Sequence, residues 1–296
     1  MEQRQFGRTD MRVSALGFGG SEIGSLDDAA TVQRLLESAL DAGLNVVDTG
    51  ACYGASEELI GSAVSHRRGD FYLFTKCGHA AGLDTPDWDP ATVRDSIDRS
   101  LRRLKTDHID LMQLHSCSVD VLARGDLLEV LERAQTAGKV RYLGYSGDRE
   151  GAVYAVESGR FAALQTSCNI ADQSVLPVIA LAESRGMGVI AKRPLANVAW
   201  RHETLPTTSY SYPYWERLAA LRYPFLAEPL EQAVATALRF TLSVPGVATA
   251  IVGTRSPGRW QQNADYVALG PLAPDQYEAI RKIWLATAGP DWVGKT

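Results

Sequence analysis

Short apolar runs alternate with amphipathic stretches along nearly the whole chain. Val32, Leu35, Leu36, Ala39 and Leu40 recur at helical spacing, and Gly43 follows as a stop. Leu44 to Val47 then reads as a buried strand ending at Asp48. Val93, Ile97, Leu101 and Leu104 mark a second helix, with Pro90 in its first turn. That helix leads into a strand from Ile109 to Leu114, which ends at His115. The pattern predicts strands at 14–18, 45–48, 71–75, 109–114, 141–145, 163–168, 187–191 and 248–252. Helices are predicted at 28–42, 56–66, 91–104, 126–137, 149–158, 173–185, 229–242, 257–266 and 274–287. Eight strand–helix units imply a closed parallel barrel, because parallel strands need right-handed helical crossovers. The fold class is α/β, a (β/α)8 TIM barrel, read as one domain over 1–296.

One connection departs from this rhythm. Residues 194–229 show no clean period, yet they hold Trp200, Tyr210, Tyr212, Tyr214, Trp215, Tyr223 and Phe225. Long loops in compact domains are uncommon and often functional. This one leaves the seventh strand on the C-terminal side, where barrel enzymes build their sites. Substrate contact is the expectation, with a packing flap or an oligomer contact as the alternatives.

Composition narrows the partners. Lys and Arg number 30 against 35 Asp and Glu, a formal charge of −5, so no basic stripe points to nucleic acid or a membrane surface. No apolar run approaches the ~18 residues of a membrane-spanning helix. The start, MEQRQFGRTD, lacks the apolar segment of a secretory signal. Cys52, Cys77, Cys117 and Cys168 form no C-x-x-C pair, which disfavours a zinc site and a redox dithiol. Sparse cysteines fit a reducing compartment. The expected location is cytoplasmic, no metal is expected, and the oligomeric state is not readable.

Polar residues at strand ends are the useful filter for chemistry. That end of the barrel presents Asp48, Tyr53, Lys76, His115, Ser146, Asn169 and Lys192. Each alone has a plain structural reading: a helix cap for Asp, a half-buried amphipathic residue for Tyr, a hydrogen-bonded ring for His. An acid, a phenol, a lysine and an imidazole over one barrel mouth are less easily accidental. All four cysteines also follow strand ends, so oxidation sensitivity arises if Lys76 or His115 acidifies a thiol; gap-filling is the simpler reading.

The segments FGRTDMRVSALGFGG, NVVDTGACYGASEELIG, FTKCG, DLMQLH, YLGYS and IVGTRSPGRWQQN resemble the aldo-keto reductase family in order and spacing, from about Phe6 to Asn263. The resemblance implies a (β/α)8 barrel and reversible reduction of aldehydes or ketones by NADPH, with NAD the alternative cofactor. By position the family's tetrad falls on Asp48, Tyr53, Lys76 and His115. Ser146 and Asn169, with Gln165 nearby, resemble the ligands of the nicotinamide carboxamide; strand-end capping is the other reading. Gly20 and Ser21 would lie beside the ribose. Gly253, Thr254, Arg255 and Arg259 open a helix, whose N–H groups suit a phosphate. Arg259 matches the position that meets the 2′-phosphate, with Arg255 assisting, and Gln262 and Asn263 match the adenine edge. Lys192 stands where many relatives carry an aromatic residue that stacks on nicotinamide, and it is assigned to the cofactor, an anionic substrate or a structural ion pair.

Physical chemistry supports the tetrad independently. A carbonyl reduction needs a hydride on carbon and a proton on oxygen. Tyr53, with an ordinary pKa near ~10, is protonated but a reluctant donor, and a nearby ammonium would make it more acidic. Lys76 would be that ammonium, Asp48 its counter-ion, and His115 the donor that orients the oxygen. Three rivals remain: a Schiff-base barrel using Lys76, a non-catalytic NADPH-binding regulatory subunit, and an NAD-dependent sugar (aldose) 1-dehydrogenase. The implied substrate is a small carbonyl compound or sugar.

Overall fold

The computed structural model describes residues 1–26 and 28–294. Strands form where the apolar runs lie, since parallel strands are buried on both faces. A short antiparallel hairpin, β1 (Gln3–Gln5) and β2 (Arg12–Ser14), comes first. Eight parallel strands follow: β3 (Leu16–Gly19), β4 (Val46–Asp48), β5 (Tyr72–Cys77), β6 (Ile109–His115), β7 (Val140–Ser146), β8 (Ala163–Ser167), β9 (Gly188–Lys192) and β10 (Val247–Val252). They pair in chain order, and β10 pairs with both β9 and β3, which closes the barrel.

Eleven α-helices lie among the described residues: α1 (Ala29–Asp41), α2 (Ser56–Val64), α3 (Pro90–Leu104), α4 (Val119–Arg124), α5 (Asp126–Thr136), α6 (Arg149–Ser158), α7 (Leu176–Ser184), α8 (Tyr212–Leu221), α9 (Leu230–Leu242), α10 (Pro257–Ala268) and α11 (Pro274–Thr287). The apolar stripe of α1 is buried at Val32, Leu35, Leu36, Ala39 and Leu40. Each large side chain of that kind contributes roughly 1.5–3 kcal/mol on burial. The first turn of α3 begins at Pro90, and Asp89 caps it by accepting from the Ala91 N–H at 2.7 Å. No described helix is long and apolar enough to cross a membrane.

Inside the barrel the side chains alternate with period two. The lower interior is apolar: Val46, Phe74, Leu111, Ala163 and Ile190 pack with Phe6, Met11 and Val13 of the hairpin segment. Phe6 stacks on Phe74 with ring centroids 5.4 Å apart. Two residues further along β4, β5, β6, β8 and β9, the same face carries Asp48, Lys76, Gln113, Gln165 and Lys192. The register sets Lys76 beside Gln113, His115 beside Ser146, Ser146 beside Gln165, and Ser167 beside Lys192. A polar ring therefore caps an apolar plug at the C-terminal end.

The eight barrel strands and the nine helices expected from the pattern are present. The predicted strand at 14–18 divides between β2 and β3, and the helix at 173–185 begins only at Leu176. The three-residue strands of the hairpin and the six-residue α4 are too short for a period to register. Within 194–229 the chain forms α8 and two 3₁₀ turns, Ala196–Arg201 and Pro224–Ala227. Aromatic residues on several faces hide the period of α8.

Candidate active site

Lys76 lies at the centre of the polar ring and is almost wholly buried, as is Asp48 (1% exposed each). Its Nζ donates to Asp48 Oδ1 at 2.5 Å and to the Thr49 carbonyl at 2.6 Å. Burial by itself disfavours this ammonium and lowers its pKa. Asp48 first, by its charge, and then Tyr53 act against it, and the net shift is upward. Lys76 is thus a fixed cation, unsuited to attack a carbonyl as a free amine. The other carboxylate oxygen, Asp48 Oδ2, accepts from Gln165 Nε2 at 2.8 Å and Gln113 Nε2 at 3.2 Å.

Tyr53 belongs to the loop between β4 and α2. Two glycines let that loop seat: Gly54 has φ +55°, and a side chain on Gly54 or Gly24 would run into the backbone of the other segment. In return, Ala55 N–H donates to the Gly24 carbonyl at 3.0 Å. Lys76 Nζ sits 4.9 Å from the Tyr53 ring centroid. Burial pushes the Tyr53 phenol up, Lys76 pulls it down, and Asp48 pushes it up again. The net direction is upward, contrary to the acidification expected from Lys76 alone, because burial outweighs the ammonium.

His115 ends β6. Its ring meets Tyr53 edge-on at 5.6 Å and His79 at 5.3 Å, and His79 in turn meets Trp88 at 4.7 Å. Trp88 lies across Gly78, whose φ of +116° and missing side chain leave room for the indole. His79 is tethered to Asp87 at 2.7 Å. His115 is held well below its ordinary range by burial first, then by the positive charges of Lys76, Lys192, His79 and Arg193. It is a neutral imidazole at physiological pH.

Cys52 Sγ lies 3.4 Å from His115 Nδ1. The other three thiols are buried. Burial pushes all four thiols up, Cys117 to about 12; Lys76 pulls Cys52 down, but burial outweighs it, so no thiol is acidified on balance.

The expected cofactor positions fall in two groups. Ser146 Oγ donates to Gln165 Oε1 at 3.0 Å. Asn169 donates to the Arg193 carbonyl at 3.0 Å and accepts from the Ala171 N–H at 2.8 Å. Lys192 pairs with Asp148 Oδ2 at 3.0 Å, and Arg193 lies 3.7 Å from the same oxygen. Asp148, which the strand-end filter passed over, also accepts from Thr166 Oγ1 and the Ser167 N–H.

The second group lies at the ends of β3 and β10. Gly20 N–H donates to the Asp48 carbonyl at 2.7 Å, and exposed Ser21 leads into a 3₁₀ turn. Gly253 faces the Gly19 carbonyl and Glu22. Thr254 Oγ1 accepts from the Ser256 N–H at 3.1 Å. Arg255 reaches back to the Glu22 carbonyl and Ser25 Oγ, so it fastens the β3 loop. Arg259 is exposed and Gln262 partly so. Among the described residues, buried Asn263 has no partner for its Oδ1, and Ser256 does not cap α10 with its side chain. An orphaned amide oxygen and an uncapped helix start suit a nucleotide's base and phosphate.

The Aldo/keto reductase family profile matches residues 15–285. The chain belongs to the aldo-keto reductase family. It is an oxidoreductase that works with a nicotinamide cofactor. This aldo-keto reductase is 27% identical over 296 residues to the uncharacterized oxidoreductase YqkF of Bacillus subtilis (strain 168), covering 95% of this chain and 96% of that one. It is 28% identical over 303 residues to L-galactose dehydrogenase of Arabidopsis thaliana, covering 93% and 91%. The holo form of aldo-keto reductase AKR11C1 from Bacillus halodurans superposes with a TM-score of 0.85 at 28% identity, covering 99% of each chain.

Around this aldo-keto reductase's mouth the 194–229 segment uses several aromatics for anchoring. Tyr223 donates to the Ile170 carbonyl at 2.9 Å, Trp215 Nε1 to the His202 carbonyl at 3.0 Å, and Tyr214 is buried. Tyr210 is 56% exposed and lies over the Arg193 guanidinium at 5.3 Å.

Behind Asn169, Asp172 is buried and is pushed up to about 7, by burial first and by the charge of Asp148 second. A carboxyl raised in the fold stabilises fully below its unfolded value, near 4, and loses that contribution as pH rises towards 7. Urea unfolding should show a fall of at most ~1.4 kcal/mol per pH unit from this group across that window. Asp172→Asn is expected to flatten the slope there, and an unchanged slope would show that Asp172 ionises normally in the fold.

Proposed function

We propose that this chain reduces aldehydes or ketones to alcohols, reversibly, with NADPH as the cofactor. The observation that carries the reading is the buried Lys76 ammonium, locked on Asp48 and lying against the Tyr53 ring. The bound nicotinamide supplies the hydride. Tyr53 delivers the proton: its raised pKa keeps the phenol protonated, while Lys76 stabilises the phenolate left behind. Neutral His115 orients the carbonyl oxygen and donates to it as negative charge develops. Asp48 compensates the charge of Lys76. His79 and Trp88 stand in series beside His115 and flank the approach to it.

Ser146, Gln165 and Asn169 would hold the carboxamide, with Lys192 at the nicotinamide side. Gly20 and Ser21 would flank the ribose, and Gly253 and Thr254 the backbone path to the phosphates. Gln262 and Asn263 would take the adenine edge. Arg259 would meet the 2′-phosphate, with Arg255 holding the neighbouring loop. Arg259→Ala is expected to raise the Kd for NADPH about 10- to 100-fold, the loss of one charge-assisted contact, and to leave NADH within about twofold. Equal losses for both cofactors in fluorescence titrations would remove Arg259 from that role.

The likeness to L-galactose dehydrogenase over 93% of this chain favours a second reading, oxidation of a sugar at its anomeric carbon with NAD+. A panel of aldehydes, ketones and sugars, assayed in both directions with NADPH, NADH, NADP+ and NAD+, separates the two by reduced-nicotinamide absorbance. Binding without turnover across the whole panel would instead support a non-catalytic cofactor-binding subunit. Borohydride trapping of a substrate on Lys76 without cofactor would support the Schiff-base alternative.

A further inference from the structure

An amide side chain has one oxygen with two lone pairs and one nitrogen with two N–H groups. Gln165 spends half of each inside the barrel. Its Oε1 accepts from Ser146 Oγ at 3.0 Å, and its Nε2 donates to Asp48 Oδ2 at 2.8 Å. One lone pair and one N–H remain, the complement of what a primary carboxamide offers. The residue is 1% exposed, so water does not fill these contacts freely. The orientation of its amide is not arbitrary. Turned over, Gln165 would set its oxygen against the Asp48 carboxylate and lose the charge-assisted bond. Asp48 therefore dictates which end of Gln165 faces Ser146.

We propose that Gln165 is a positioning residue that couples the cofactor's carboxamide pocket to the Asp48–Lys76 pair, so that docking of the nicotinamide and the setting of the proton donor share one free energy. This inference rests on the reading of Ser146 and Gln165 as carboxamide ligands. Asp48 pins the amide of Gln165 through its Oδ2, the pinned amide presents a fixed donor and acceptor, and a carboxamide bound there holds Gln165 on Asp48 in return. Coupling of this kind is reciprocal.

Gln113 provides the internal contrast. It also donates to Asp48 Oδ2, at 3.2 Å, but its stem lies over Gly144, and its own Oε1 has no partner among the described residues. It steadies Asp48 through the same oxygen but makes no hydrogen bond to Ser146 or Gln165 among the described residues.

The test is a double-mutant cycle on the full chain, read by NADPH binding through fluorescence. In the wild-type background Asp48→Asn should weaken NADPH about tenfold, because Gln165 is then free to turn over. In the Gln165→Met background the same change should cost less than about twofold. In the Gln113→Met background the tenfold effect should persist. Equal fold-changes for Asp48→Asn in the wild-type and Gln165→Met backgrounds would overturn the coupling while leaving the oxidoreductase reading intact. A wild-type protein that binds neither NADPH nor NADH would overturn the coupling and the proposed function together.

If Asp48→Asn does not fold, the reciprocal measurement serves. The alkaline titration of Tyr53, taken as the phenolate absorbance difference between the wild type and Tyr53→Phe, should move when NADPH saturates the protein. The corresponding difference between Gln165→Met and Gln165→Met with Tyr53→Phe should move less, because only the direct effect of the bound cofactor on Tyr53 then remains. An identical displacement in both pairs sinks the proposal.

Discussion

Tyr53→Phe is expected to lower kcat for carbonyl reduction about 10³-fold, within the ~10²–10⁴ range of a lost general acid. Cofactor affinity should be unchanged, because the substitution removes one hydroxyl and keeps the ring that packs on Gly50 and beside Lys76. The pH dependence follows from the direction of the shift. Burial holds Tyr53 above its ordinary range against the pull of Lys76, so the proton is present throughout the neutral region. Reduction should therefore be flat across neutral pH and decline only as the solution becomes strongly alkaline. Oxidation of the alcohol needs the phenolate and should climb over the same alkaline range. Steady-state kinetics in both directions, with NADPH titrations of the variant, check the whole set. A variant with near-normal kcat would take the proton-donor role away from Tyr53.

Lys76→Met should be as damaging to activity and far more damaging to stability. Methionine fills a similar volume but leaves the Asp48 carboxylate buried, with only the amides of Gln113 and Gln165 to compensate it. Removing one partner of a buried pair typically costs ~3–5 kcal/mol, because the remaining charge stays desolvated. Lys76 is raised by its partners in the fold. Its contribution is therefore fully present below the unfolded lysine value and is lost only as pH rises through the folded one. The destabilisation should thus be visible at every neutral pH. Adding Asp48→Asn to Lys76→Met should recover part of the stability, since the orphaned charge is gone, but none of the activity. Urea unfolding measures the first effect and the panel assay the second. A double variant no more stable than Lys76→Met would mean that packing, not charge, dominates at this site.

Legibility of the site followed the chain's periodicity. Asp48, Lys76 and His115 stood out because each ends an apolar run, and a barrel gathers strand ends at one mouth. Gln113 carried a readable signal that the strand-end filter ignored: it lies two residues before His115, on the same face of β6. Asp148 gave none, because it sits past the end of β7 and its partners Lys192 and Ser167 come from other strands. The short hairpin and α8 escaped for a different reason. Three-residue strands and an aromatic-rich helix do not generate a period that local reading can detect.

Along the chain, alternation with periods of 2 and about 3.6 determined the number and order of the barrel's strand–helix units, since those periods are local consequences of backbone geometry. The family resemblance of the segment NVVDTGACYGASEELIG supplied the role of Tyr53, which lies in a loop where no periodicity speaks. Which groups share hydrogen bonds, and which way the charges shift, was decided only by closure of the barrel. Gln165 and Asp48 are separated by 117 positions along the chain yet bonded in space. The upward shift of Tyr53 is set by how much water its neighbours exclude. Burial is a property of the assembled fold, and no local window of residues contains it.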